Sequence, residues 1–258
     1  MLNWIIRTVE IVILLLFSGT YSFAQEADLV EVDQFGSNPG HLRLLVHSPI
    51  SLSKDSAALV VVLHGCSQDA KDISKLTGWN KLADSLGFYV LYPQTRTVNN
   101  PGKCFNWYSP KHNQRGKGEV RSVRSQINYM TRMHPIDPQK VFVVGLSAGG
   151  AMTVAMLACY PEVFNAGACL AGGPYGGAKD IWESGKMMVG ANARSSEDWA
   201  SLVKAQSPEF EGNYPRLVIS HGMNDPVVNV SNADELNKQW RGLHELKESA
   251  DSVDYNFQ

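Results

Sequence analysis

Ser147 stands at the centre of Gly145-Leu-Ser-Ala-Gly149, which follows the apolar run Val141-Phe-Val-Val144 and continues as Gly150-Ala-Met-Thr-Val-Ala-Met-Leu-Ala158. A strand that breaks at Gly-x-Ser-x-Gly and re-forms as a small-residue helix is the pattern of a nucleophile elbow. A serine hydroxyl attacks an acyl carbon only when a base takes its proton and donors neutralise the oxyanion that forms. The sharp turn supplies part of this, lifting Oγ off the sheet edge and aiming helix N-terminal N–H groups at the reacting carbonyl. Gly145 and Gly149 suit a turn in which strand and helix run close together.

Acyl transfer of this kind needs an oxyanion loop upstream, then serine, acid and histidine in that chain order. Upstream, Val60-Val-Val-Leu-His-Gly-Cys66 reads as a buried strand running into a tight loop. The backbone N–H groups of Cys66 and Ala148 are the expected oxyanion donors, and His64 is expected to brace the loop. Downstream, Leu217-Val-Ile-Ser-His-Gly-Met-Asn-Asp225 reads as a strand followed by a turn that presents Asp225, the expected acid. The base belongs one helix and one strand beyond Asp225. Only His244 lies beyond it, inside a helix expected over 233–246 and badly placed to reach Ser147; His221 reads as structural. The expectation is therefore a chain without its final strand and histidine loop, and an activity reduced accordingly.

The elements that must position these groups can be read from periodicity. Apolar runs at 42–47, 59–63, 88–92, 141–144, 166–171 and 217–220 alternate with helical patterns, which predicts an α/β fold with a mostly parallel sheet covered by helices on both faces. A helix is expected over 73–86, with Ile73, Leu76, Leu82 and Leu86 as an approximate apolar face. A second carries Val120, Val123, Ile127 and Met130 at spacings of three and four, and a third spans 233–246. The glycine- and proline-rich segments 98–118 and 172–180 follow strands, where ligand-facing loops lie in open α/β sheets.

The 258 residues carry 44% hydrophobic and 19% charged residues, ordinary values for one globular domain, and a net charge of -2 gives no reason to expect nucleic acid as partner. Residues 1–24 have a basic residue, a short apolar core at 11–17 and small residues before a cut after Ala24. That is the form of a secretory signal, since about 20 apolar residues are needed to span a bilayer. The mature chain is expected over 25–258, secreted to the exterior or the periplasm, with no stable membrane association. In an oxidising compartment Cys66, Cys104, Cys159 and Cys169 can pair in three ways, which spacing does not resolve; Cys159 and Cys169 read equally well as small buried residues. No cysteine or histidine cluster has metal-ligand spacing, and nothing points to an organic cofactor.

Leu63-His-Gly-Cys-Ser-Gln68, Gly87-Phe-Tyr-Val-Leu-Tyr-Pro93, Cys104-Phe-Asn-Trp-Tyr108, Gly145-Leu-Ser-Ala-Gly-Gly150, Tyr160-Pro-Glu-Val-Phe164 and Gly173-Pro-Tyr-Gly176 together resemble the poly(3-hydroxybutyrate) depolymerase-like esterases, relatives of the feruloyl and acetylxylan esterases of carbohydrate esterase family 1. The resemblance runs over about 35–241. It implies a secreted serine esterase of α/β-hydrolase fold acting on polyesters or acylated polysaccharides, with Ser147 as nucleophile, Asp225 as acid and the Cys66 backbone as an oxyanion donor. It also implies a Cys66–Cys104 disulfide. Trp107, Tyr108 and Tyr175 are expected to line the groove for the ester. Two other readings share the fold: a protein that binds an ester or polysaccharide without turning it over, and a serine peptidase.

Overall fold

The computed structural model describes residues 29–52, 56–190 and 193–246; the expected signal at 1–24 and the last residues, 247–258, lie outside them. Seven strands form one sheet: β1 (Val30–Val32), β2 (Arg43–His47), β3 (Ala57–Leu63), β4 (Tyr89–Gln94), β5 (Ile136–Leu146), β6 (Ala166–Leu170) and β7 (Arg216–Ser220), in the order β1-β2-β4-β3-β5-β6-β7. β1 and β2 pair antiparallel and the pairings from β4 to β7 are parallel, so the expected mostly parallel α/β sheet is what forms. The register aligns Leu63 with Gly145 and Gly145 with Cys169, which brings the C-terminal ends of β3, β5 and β6 side by side.

β3 is buried on both faces because Leu59, Val61 and Leu63 point into one core cluster and Val60 and Val62 into the other. Each such side chain stabilises the fold by roughly 1.5–3 kcal/mol. One cluster is roofed by α3 (Gly118–Met133), whose Val120, Val123, Ile127 and Met130 are buried, and by α4 (Ala148–Cys159), buried all round. Cys159 and Cys169 are free and buried, as small apolar residues would be.

The single helix expected over 73–86 is two helices, α1 (Ala70–Thr77) and α2 (Trp79–Leu86), divided at Gly78 with φ 68°. Asp69 and Asp72 form a capping box at the start of α1, which fixes its beginning earlier than the apolar pattern implied. The break resets the helical phase, so Leu76, Leu82 and Leu86 do not share a buried face with Ile73: they are 63%, 44% and 62% exposed. Two further helices, α5 (Ile181–Met188) and α6 (Ser196–Lys204), follow the segment 172–180 read as a loop, and neither they nor β1 were anticipated. The last described helix, α7 (Ser231–Leu243), is pinned at its far end by Trp240 Nε1, which donates to the Pro215 carbonyl at 2.8 Å.

Candidate active site

Ser147 links β5 to α4 with φ 56° and ψ −118°, a conformation that a residue with a Cβ rarely holds. The surrounding backbone fixes it there. Ser147 N–H donates to the Leu170 carbonyl on β6 at 2.8 Å, and Ala151 N–H donates to the Ser147 carbonyl at 3.0 Å. A Cβ at position 145 would lie 2.2 Å from the Gly149 carbonyl oxygen, and one at 149 would lie 2.2 Å from the Leu63 carbonyl oxygen. These contacts are with rigid backbone, so both elbow glycines are required for close packing, as the sequence suggested.

The facing loop leaves β3 through His64, Gly65 and Cys66. His64 is fully buried, and its ring nitrogens have unambiguous partners. Nδ1 lies 2.7 Å from the Gly65 carbonyl, which can only accept, and Nε2 lies 3.1 Å from the Thr95 N–H, which can only donate. The imidazole is therefore the neutral Nδ1–H tautomer, and burial holds its pKa below the usual histidine range. It ties the loop to the end of β4. Gly65 N–H donates to Gln68 Oε1 at 2.8 Å, and Ser67 N–H to the Gly102 carbonyl at 2.7 Å. A disulfide joins Cys66 to Cys104 across a separation of 38 residues. The N–H groups of Cys66 and Ala148 have no hydrogen-bond partner among the described residues.

A cleft with about 370 Å³ of space, partly open to solvent, lies over the serine. It is bounded by Cys66 and Trp107 on one side, Ser147, Ala148 and Ala151 on the floor, and Ala171, Gly172 and Gly173 beyond β6. Met187 and Met188 of α5, Val228 and Asn232 complete it. Of the aromatic residues expected to line the groove, the cleft wall contains Trp107 alone. Tyr108 meets Trp107 edge-on, with ring centroids 5.6 Å apart, and is not part of the wall. Tyr175 is a correction: it is 6% exposed, its hydroxyl donates to the Asn113 carbonyl, and its backbone is clamped by Gln239 of α7. Proline and glycine around it suggested an open loop, but these buried bonds draw the ring into the core.

Asp225 lies in the turn after β7. Its Oδ1 accepts from Val227 N–H at 2.8 Å and Val228 N–H at 2.9 Å, and Oδ2 has no hydrogen bond among the described residues. The two backbone donors, Val228 first, with a smaller contribution from nearby His221, hold the carboxyl below the usual aspartate range. His221 Nε2–H donates to the Val228 carbonyl at 2.8 Å and stands 3.7 Å from Asp225 Oδ2. It closes the turn that presents the acid, consistent with a structural reading. His244 ends α7 beside Lys204, Gly212 and Tyr214, at the end of β7 opposite to the one that carries Asp225. Among the described residues no imidazole hydrogen-bonds Ser147, and no group of three or more His, Cys, Asp or Glu side chains could hold a metal ion.

Glu119 was not anticipated as part of the site. The carboxylate is fully buried and accepts from Asn106 N–H and Asn106 Nδ2, both at 2.7 Å, while Asn113 Nδ2 donates to the Trp107 carbonyl at 2.5 Å. It thus anchors the segment between Cys104 and Trp107. Burial raises its pKa to about 7 against the Asn106 donors, which lower it. The sequence signal was present, in an acid interrupting the basic stretch 115–124, but nothing there specified Asn106 as its partner. Met187 and Met188 were missed because α5 was not recognised, and Val228 and Asn232 because nothing in the spacing shows that the turn after β7 and the start of α7 face the cleft.

The family described as esterase PHB depolymerase matches residues 43–252. A poly(3-hydroxyalkanoate) depolymerase C from Paucimonas lemoignei is 38% identical over 88% of this chain, which spans 54%, about half, of that relative's length. A probable acetylxylan esterase A from Aspergillus flavus is 31% identical over 88% of this chain and 74% of its own. Among solved structures, an acetyl xylan esterase from Aspergillus awamori superposes with a TM-score of 0.81 at 28% identity, over 86% of this chain and 82% of the other.

Proposed function

We propose, because this chain belongs to the esterase PHB depolymerase family, that it hydrolyses carboxylic esters through an acyl-enzyme on Ser147. The observation that carries the reading is the strained turn at Ser147, which opens into a cleft shared with the two unpartnered N–H groups of Cys66 and Ala148. Ser147 Oγ attacks the ester carbonyl, and the oxygen that becomes negative takes hydrogen bonds from Cys66 and Ala148. The serine proton must pass to a base and return to the departing alcohol; Asp225, whose Oδ2 has no hydrogen bond among the described residues, is the group placed to orient such a base, and no described histidine supplies it. Water repeats the sequence on the acyl-enzyme and releases the acid.

The substrate class we assign is a polyester or an acylated polysaccharide, supported by the names of the relatives and by the cleft's apolar wall at the protein surface. We assign residues 1–24 as a secretion signal and 25–258 as one esterase domain, on the sequence pattern of the N-terminus and the continuity of the sheet. No helix among the described residues is long and apolar enough to cross a membrane.

The second reading, an ester binder that does not turn over its ligand, is favoured by one observation: no histidine among the described residues reaches Ser147. Hydrolysis of p-nitrophenyl acetate and butyrate by residues 25–258, beside the Ser147→Ala protein, separates the two. Turnover lost with the serine supports the esterase. Rates equal to the variant's support the binder.

A further inference from the structure

The wall of the cleft is almost wholly apolar, yet it contains one primary amide. Asn232, at the start of α7, is 3% exposed and lines the cleft with Gly173 and Met187. Its Nδ2 donates to the Met187 carbonyl at 2.8 Å and to the Asn229 carbonyl at 3.0 Å. Both partners are acceptors, so the amide cannot be turned over without placing its oxygen against two carbonyl oxygens. Oδ1 must therefore point the other way. It lies against Gly173, 3.2 Å from the place a Cβ would take there, and accepts no hydrogen bond among the described residues. Each remaining side chain of the wall is aliphatic, a thioether, a disulfide sulfur, the nucleophile, or an indole that can only donate.

An acceptor that lines a cleft and has no protein partner selects for a ligand that can donate to it. We propose that Asn232 is a specificity-determining residue, whose Oδ1 accepts a hydrogen bond from a hydroxyl on the group of the ester that enters the cleft. The inference rests on the reading of this cleft as the ester site. Gly173 and Asn232 act together, since a side chain at 173 would meet the Met187 methyl at 2.5 Å and crowd the amide oxygen. The hydroxyl can belong to the acyl group or to the alcohol, and the test distinguishes them.

Binding is measured on the Ser147→Ala protein by NMR titration, so the result does not depend on turnover. Two pairs of ligands are used: methyl 3-hydroxybutyrate against methyl butyrate, and 2-hydroxyethyl acetate against propyl acetate. With Asn232 in place, the hydroxylated member of one pair is expected to bind about tenfold more tightly than its partner. The pair that shows the gap identifies the side of the ester. In the Asn232→Leu background the gap is expected to close. Equal affinity within both pairs, including no measurable binding of any of the four, overturns the proposal whether or not the Leu variant folds. A gap that survives Asn232→Leu overturns it as well. A gap seen in the Ser147→Ala protein while the parent hydrolyses no ester refutes the hydrolytic mechanism and supports the assignment of Asn232.

Discussion

Removal of the Cys66–Cys104 disulfide gives a consequence that can be worked out in numbers. The bridge closes a loop of 38 residues in sequence, and the chain-entropy relation then gives roughly 4 kcal/mol of stabilisation through the unfolded state. For a chain of this size the loss corresponds to a fall in Tm of roughly 8 °C. The structure adds a second effect. Cys66 carries one of the two unpartnered N–H groups over Ser147, and its loop is otherwise held by the Ser67–Gly102 backbone bond and the His64 brace. Complete loss of one oxyanion donor costs a factor of about 10²–10³ in kcat. Because those two contacts remain, partial displacement is expected, with kcat falling by about tenfold and KM changing little. The assay is thermal unfolding and ester hydrolysis of the Cys66→Ser/Cys104→Ser protein beside the parent. A Tm within 2 °C of the parent, or an unchanged kcat in a protein shown to lack the bridge, would refute the reasoning.

Three further outcomes follow from the same geometry. Ser147→Gly relieves a backbone held at φ 56° and is expected to raise stability by about 1 kcal/mol in urea unfolding while abolishing hydrolysis; a loss of stability would show that the turn is unstrained. Gly149→Ala places a methyl 2.2 Å from the Leu63 carbonyl oxygen, and a destabilisation of roughly 3 kcal/mol or more is expected from the forced backbone shift. Burial raises the Glu119 pKa to about 7 from an ordinary 4.5. Its contribution to stability is therefore fully present below the unfolded value and is lost as pH rises through about 7. Glu119→Gln, which cannot accept from both Asn106 donors, is expected to cost about 2 kcal/mol at pH 5 and to flatten that decline, as read from unfolding midpoints between pH 5 and 8.

The parts of the site that depend on backbone chemistry were legible in the sequence. Gly145 and Gly149 announce the turn around Ser147 because a Cβ at either would meet backbone at 2.2 Å, and the strand ending in His64-Gly65-Cys66 was legible from its apolar run. The buried strands and the Val120–Met130 stripe were equally plain, since their periodicity matches the surface they cover. What failed did so for identifiable reasons. Gly78 splits one apparent helix into two and rotates Leu76, Leu82 and Leu86 out to solvent, an effect of a single φ angle that apolar spacing does not carry. α5, with Gly185 in its middle and only eight residues, has too weak a pattern to be recognised, and with it went the methionines of the cleft. Glu119 and Asn232 depend on partners distant in sequence, Asn106 and Met187, which spacing cannot pair. Tyr175 was placed at the cleft by the company of glycine and proline, whereas its hydrogen bonds to Asn113 and Gln239 decide its position.

The central claim is that Ser147 forms a covalent acyl-enzyme. The most direct test is to mix the protein with p-nitrophenyl butyrate, quench in acid within the first turnover, and weigh the intact chain. The account predicts a species heavier by one butyryl group, mapped to the peptide containing Ser147 and missing from the Ser147→Ala protein. Ester hydrolysis that proceeds without that species and survives Ser147→Ala would contradict it.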